Sequence, residues 1–104
     1  MSLDDLAKSY IRNNLYMTIA TCDGFYPWAA SVVYVVDQHF SFFFMSSLDA
    51  THSRHILINP RCALTIINTH SPGGVQIEGK ASLAPEKEYK KICSQFYERK
   101  YSGA

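Results

Sequence analysis

"SFFFMSSLDATHSRHILINPR", residues 41–61, is the stretch on which the reading of this chain turns. Four large apolar residues, Phe42 to Met45, run directly into hydroxyls, an acid, two histidines and an arginine. The aromatic run reads as a strand facing a core. From residue 49 to 58 the period becomes helical, and Pro60 stops it. Ala50, Arg54, Leu57 and Ile58 fall near one side of that helix, and Ile56 adds to it.

The turn between strand and helix has two readings. A helix N-terminus leaves backbone N–H groups unpaired and carries partial positive charge. Ser46, Ser47 and Thr51 add hydroxyls nearby, while His52 and Arg54 can add positive charge. Such a set suits a phosphate, because donors and field point the same way. The plainer reading makes Ser47 or Asp49 an ordinary N-cap and leaves Arg54 in solvent.

Outward from this stretch the elements follow in order. Residues 3–13 carry Leu3, Leu6, Ala7, Tyr10 and Ile11 at helical spacing. Ser2 is placed to cap that helix, with Asp4 and Asp5 on the favourable end of its dipole. "LYMTIAT", 15–21, reads as a strand, and Asp23-Gly24 is a hairpin signal. Past Pro27, "WAASVVYVVD" lacks polar alternation, as expected of a strand covered on both faces. "DQH" turns the chain, and "FSFFFMSS", 40–47, returns as a third strand. Beyond the helix, 62–68 is a strand and 69–74 a loop of breakers. Residues 75–83 form a fifth strand whose first part alternates, so that one face meets solvent or a partner. Pro85 then precedes a helix over 86–100 whose apolar face is Tyr89, Ile92, Cys93, Phe96 and Tyr97. Five strands with short turns predict a closed or nearly closed antiparallel barrel, mainly β, with short flanking helices.

Size and composition narrow the function classes. The 104 residues make one domain, or part of one, with a modest core well supplied by seven Tyr, six Phe and one Trp. A net charge of +1 and the lack of a basic stripe argue against nucleic-acid binding. Cys22, Cys62 and Cys93 are odd in number and have no CxxC spacing. They read as small core residues in a reducing compartment, Cys93 on the apolar side of its helix. Charges break the first apolar run, and nothing approaches the roughly 18 apolar residues of a membrane span. The expected location is cytoplasmic.

His52 and His55 lie three apart, but His39, His70 and the cysteines lack ligand spacing, so no metal site is read. No catalytic acid, base or nucleophile stands out either.

Three segments together resemble the FMN-binding split-barrel family, the pyridoxamine 5′-phosphate oxidase-like proteins. "MTIATCDGFYPWAASVVYVVD" is similar to the family's opening hairpin. "FFFMSSLDATHSRHILINPRCALTI" is similar to its strand, phosphate turn, helix and Asn-Pro-Arg boundary, and "GVQIEGKASL" to its fifth strand. The resemblance implies an antiparallel split β-barrel and FMN held at a homodimer interface. It places Met45, Ser46 and Ser47 at the flavin phosphate and ribityl chain, with Thr51 and His52 where the family often has a Ser-Lys or Arg-Lys pair. Ala30 to Val33, with Ser31 and Val32 as the site residues, would run beside the isoalloxazine ring, Gly74 would approach it, and Arg54 could compensate for missing charge. This chain departs from the family in having Ala30 and His52 at positions that are often basic. It also ends just after a helix, which implies one domain over 1–104 without the family's sixth, C-terminal strand. That argues against genuine pyridoxamine phosphate oxidase activity. The resemblance thus implies a small flavin-dependent oxidoreductase, homodimeric and without nucleic-acid or membrane partners. The alternative is a non-catalytic dimeric module on the same fold that binds heme or another flat ligand, or has lost its cofactor.

Overall fold

The computed structural model describes residues 2–70 and 73–101, with only the backbone given for 99–101. Residues Ser71 and Pro72 of the breaker loop lie outside the described residues.

The chain opens with α1 (Leu3–Arg12), where the Ser2 hydroxyl accepts a hydrogen bond from the Asp5 N–H at 3.1 Å. Two strands follow, β1 (Tyr16–Cys22) and β2 (Pro27–Val36), joined by a turn in which Gly24 takes φ 115°. That value explains the glycine, since a side chain is strained there. The Asp23 carboxylate accepts from the N–H groups of Phe25 and Tyr26 at 2.8 and 2.9 Å. These bonds, Tyr26 first and Phe25 second, hold its pKa below the ordinary value. The chain continues through β3 (Phe42–Phe44), α2 (Thr51–Ile58), β4 (Arg61–Ile66) and β5 (Val75–Lys80). It closes with a short 3₁₀ turn, Glu86–Glu88, and α3 (Tyr89–Tyr101).

All pairings are antiparallel, in the order β3-β2-β1-β4-β5. The sheet curls into a half-barrel, with β3 and β5 both lining one cavity under its concave face. Alternation sends Met17, Ile19, Tyr34 and Ile66 inward, where they are buried. Ile11 of α1 closes that core from one end, and the Tyr34 hydroxyl donates to the Ile11 carbonyl. Tyr10 reinforces the same end, accepting from the Asn68 N–H at 2.9 Å.

Several elements differ from the sequence expectation, each for a local reason. Strand β3 is three residues long rather than eight. Phe40 takes φ 61°, and Asp37 accepts from the N–H groups of His39 and Ser41, so the turn lasts until Ser41. The Phe40 ring lies under the Arg12 guanidinium at 4.3 Å, a cation–π contact that ties this turn to α1. Strand β2 is not covered on both faces, since its first half is exposed and Trp28 keeps 49% of its surface. Strand β5 ends at Lys80, three residues early, although the Ala81 N–H still reaches the Pro60 carbonyl at 2.8 Å. Cys93 is exposed rather than core, because the α3 residue held inside is Ile92. Cys22 and Cys62 are only partly buried, and all three cysteines are unpaired. No helix of the described residues is long and apolar enough to cross a membrane.

Candidate functional site

The turn after β3 ends in a helix whose N-terminus has no side-chain cap. Ala50 occupies the N-cap position and makes no side-chain hydrogen bond. This corrects the expectation that Ser47 or Asp49 caps it. The Ser47 hydroxyl instead accepts from the Asp49 N–H at 3.2 Å, stiffening the turn one step upstream. The helix's own bonding begins with the Arg54 N–H to the Ala50 carbonyl at 3.0 Å. The first-turn N–H groups of Thr51, His52 and Ser53 therefore remain available to a ligand or water.

The inward side of α2 is also not the one that hydropathy suggests. Leu57 and Ile58 are 69% and 68% exposed, Arg54 is exposed, and the buried residues are His52 and His55. Each histidine is satisfied by a hydroxyl, which is what allows a polar ring to be buried. His55 Nδ1 lies 3.2 Å from Thr21 Oγ1, and its Nε2 is 3.9 Å from the Asp23 carboxylate. That pair of contacts ties α2 to the end of β1 and to the first hairpin turn. His52 Nε2 lies 2.7 Å from Ser46 Oγ, and its ring tilts against Phe44 at 5.9 Å between centroids. Burial pushes the His52 imidazole below its ordinary pKa, so at neutral pH it is uncharged.

Ser46 is a junction. It accepts from the Ser53 hydroxyl at 3.3 Å, meets His52 at 2.7 Å and has the Ser47 carbonyl at 3.4 Å. Ser46, Met45 and Ser53 also line the apolar cavity of about 760 Å³ that runs under the sheet between Ile19, Leu64 and Ile92. A hydroxyl junction thus stands where an uncapped helix start meets an apolar hollow. That arrangement suits a ligand with an anionic end and an apolar body.

The other sequence candidates are spread more widely. Thr51 is the first residue of α2, in the same turn. Ser31 and Val32 lie on opposite faces of β2, Ser31 outward and Val32 against the core. Gly74 precedes β5 at the far edge of the sheet, where a Cβ would come within 2.9 Å of the Ile66 carbonyl oxygen. Within one chain, then, the turn residues converge and Gly74 does not join them. Ser53, Thr21 and Asp23 were not among the sequence candidates. Nothing in the sequence marks Ser53, because its contact depends on the path of the turn. Thr21 and Asp23 carried a faint signal as polar residues flanking the end of a core strand.

Comparison with known proteins agrees with this architecture. The family model described as pyridoxamine 5′-phosphate oxidase matches residues 3–104. A UPF0306 protein of Yersinia pestis is 29% identical over 108 residues, covering 95% of this chain and 74% of that protein. Among solved structures, the Agrobacterium tumefaciens protein Atu2129, of unknown function, superposes with a TM-score of 0.82 at 15% identity. The match covers 90% of this chain but only 43% of the Agrobacterium chain. The heme storage protein HutZ of Vibrio cholerae superposes with a TM-score of 0.78 at 20% identity, over 95% of this chain and 76% of that one.

Proposed function

The chain belongs to the pyridoxamine 5′-phosphate oxidase family, and from that premise we propose that it binds FMN and serves as a flavin-dependent oxidoreductase. The observation that carries this reading is the uncapped first turn of α2 with the Ser46 hydroxyl beside it. Backbone N–H groups of Thr51, His52 and Ser53, with the hydroxyls of Ser46 and Thr51, would hold the phosphate. Exposed Arg54 would add charge from the helix surface. When bound, FMN supplies hydride or electron transfer at its isoalloxazine ring. The protein's own part is to anchor the phosphate, orient the ring and limit water around it. No side chain is assigned as acid or base. Genuine pyridoxamine phosphate oxidation is not part of this proposal.

The test is an FMN titration followed by flavin fluorescence. The wild type should bind in the micromolar range or tighter. The double variant Ser46→Ala/Thr51→Ala should lose about 1–3 kcal/mol, or roughly 5- to 150-fold in affinity. An unchanged affinity would remove the turn from the site.

We further propose that two copies pair through the outer face of the sheet. Ala29, Ala20 and Ala63 line up there across β2, β1 and β4, and all three are exposed. Small side chains on a gently curved sheet allow close approach of a second copy. Sedimentation should give a dimer at micromolar concentration, and a monomer at high micromolar would count against a shared site.

Heme is the second reading, favoured by the likeness in fold to the heme storage protein HutZ. His52 and His55 are buried and hydrogen-bonded, which leaves exposed His39 and His70 as axial ligands. An absorbance spectrum separates the two, since flavin is released by acid and heme gives a Soret band.

A further inference from the structure

We propose that His52 supplies the phosphate site with a conditional cation: a dianion bound at Ser46 is taken up together with one proton, which resides on His52 Nε2. This rests on the reading of the Ser46–Arg54 turn as a phosphate anchor.

A single hydrogen decides which way the junction points. The Ser46 hydroxyl has one proton and two acceptors within reach, His52 Nε2 at 2.7 Å and the Ser47 carbonyl at 3.4 Å. In the proposed relay neutral His52 is the tautomer with its hydrogen on Nδ1, which makes Nε2 an acceptor, so that the shorter contact takes the Ser46 proton. The Ser53 hydroxyl donates into Ser46 at 3.3 Å, so the chain runs Ser53 to Ser46 to His52. In this direction Ser46 has no hydrogen to offer an anion. Protonating His52 reverses the last link. Nε2–H then donates to Ser46 Oγ, whose two lone pairs accept from His52 and Ser53, and the Ser46 hydrogen is released to the long contact with the Ser47 carbonyl at 3.4 Å or, when one is bound, to an anion. One proton therefore gives the anion both a hydroxyl donor and a positive charge behind it.

Other charged groups do not take this role. Helix α2 packs on β1 and β2, whose titratable side chains are Tyr16, Cys22 and Tyr34, with Asp23 in the turn between them. Tyr34 donates to the Ile11 carbonyl, and Asp23 is engaged by Tyr26, Phe25 and His55. On α2 itself, Arg54 is exposed and His55 is held by Thr21. Burial is the one influence that moves His52, and it acts downward. In the free protein the ring is therefore neutral near pH 7, and falling pH through the unfolded value near 6.5 costs stability, because the unfolded chain binds the proton more readily. A bound dianion reverses the preference and lifts the His52 pKa. Affinity should then rise as pH falls, by up to about tenfold per unit, between the bound and free pKa values.

The experiment counts protons. FMN is titrated calorimetrically into the wild type and His52→Gln at pH 7 in two buffers of different ionisation enthalpy, with riboflavin as the phosphate-free control. The wild type should take up close to one proton per FMN and none with riboflavin. His52→Gln, whose side-chain amide can donate to Ser46 without titrating, should bind FMN with little or no uptake. Equal uptake in both proteins would assign the proton to the phosphate and overturn the proposal. NMR of the free protein should show the Nδ1–H tautomer of His52, and an Nε2–H tautomer would also overturn it. If FMN fails to bind between pH 5.5 and 8, the flavin reading falls separately. Inorganic phosphate titrated against the His52 resonance then decides the relay, and a pKa that does not rise ends it.

Discussion

Replacing Tyr34 by alanine should lower the free energy of unfolding by about 3–5 kcal/mol. Among the described residues Tyr34 is the largest side chain with no exposed surface. Its ring packs among Ile11, Met17 and Ile66 and lies 5.5 Å from that of Phe42. Its hydroxyl also satisfies the Ile11 carbonyl, which joins α1 to the sheet. Alanine would leave both a cavity and an orphaned acceptor. For a domain of this size the midpoint of thermal unfolding should fall by more than about 12 °C. Phenylalanine keeps the ring and should cost only the lost bond, about 1–3 kcal/mol. Urea unfolding of the two variants checks the ranking. A loss below about 1 kcal/mol for alanine would mean that the core closes around the gap and that Tyr34 is not its centre.

The second large effect concerns the site and leaves the fold in place. Ser46→Asp puts a carboxylate where the phosphate is proposed to bind. Two unit charges about 4 Å apart near a protein surface repel by about 4 kcal/mol, on the order of a thousandfold in affinity. Ser46 is exposed, and an aspartate there can still accept from His52 and Ser53, so the substitution should leave the unfolding curve close to that of the wild type. Fluorescence titration with FMN and with riboflavin would localise the effect. FMN should be lost and riboflavin little changed. Parallel losses would mean that the new carboxylate disturbs the turn rather than the phosphate, and no loss would move the anchor elsewhere.

The order of elements was legible because local chemistry and tertiary context agree. Ser2 caps α1, Asp23-Gly24 makes the first hairpin, and Pro60 closes α2, as their residue types suggest. The orientation of α2 was not legible. Hydropathy counts histidine as polar and leucine as core, whereas here Thr21 and Ser46 satisfy the two rings and Leu57 stays outside. Such a choice depends on partners 6 and 34 positions away, both outside the helix whose periodicity is being read. The length of β3 was hidden for a similar reason. Phe40 looks like a strand residue, but an Asp37 side chain and an Arg12 guanidinium hold it in a turn. The polar turn after β3 was visible in its run of hydroxyls, while its junction at Ser46 was not, because Ser53 carries no mark of its own.

The strand order also bears on how the chain folds. Strand β1 has neighbours on both sides, and they reach it at very different distances along the chain. Cys22 meets Pro27 only five positions on, whereas Thr21 meets Cys62 forty-one positions on. Closing the longer loop costs about 2 kcal/mol more in chain entropy. The β1–β2 hairpin is therefore the cheaper of the two pairings to close, and the arrival of β4 carries the larger entropic cost. Until then the central strand offers one bare edge, and α2, tethered by His55 to Thr21 beside that edge, is the element placed to guide β4 home.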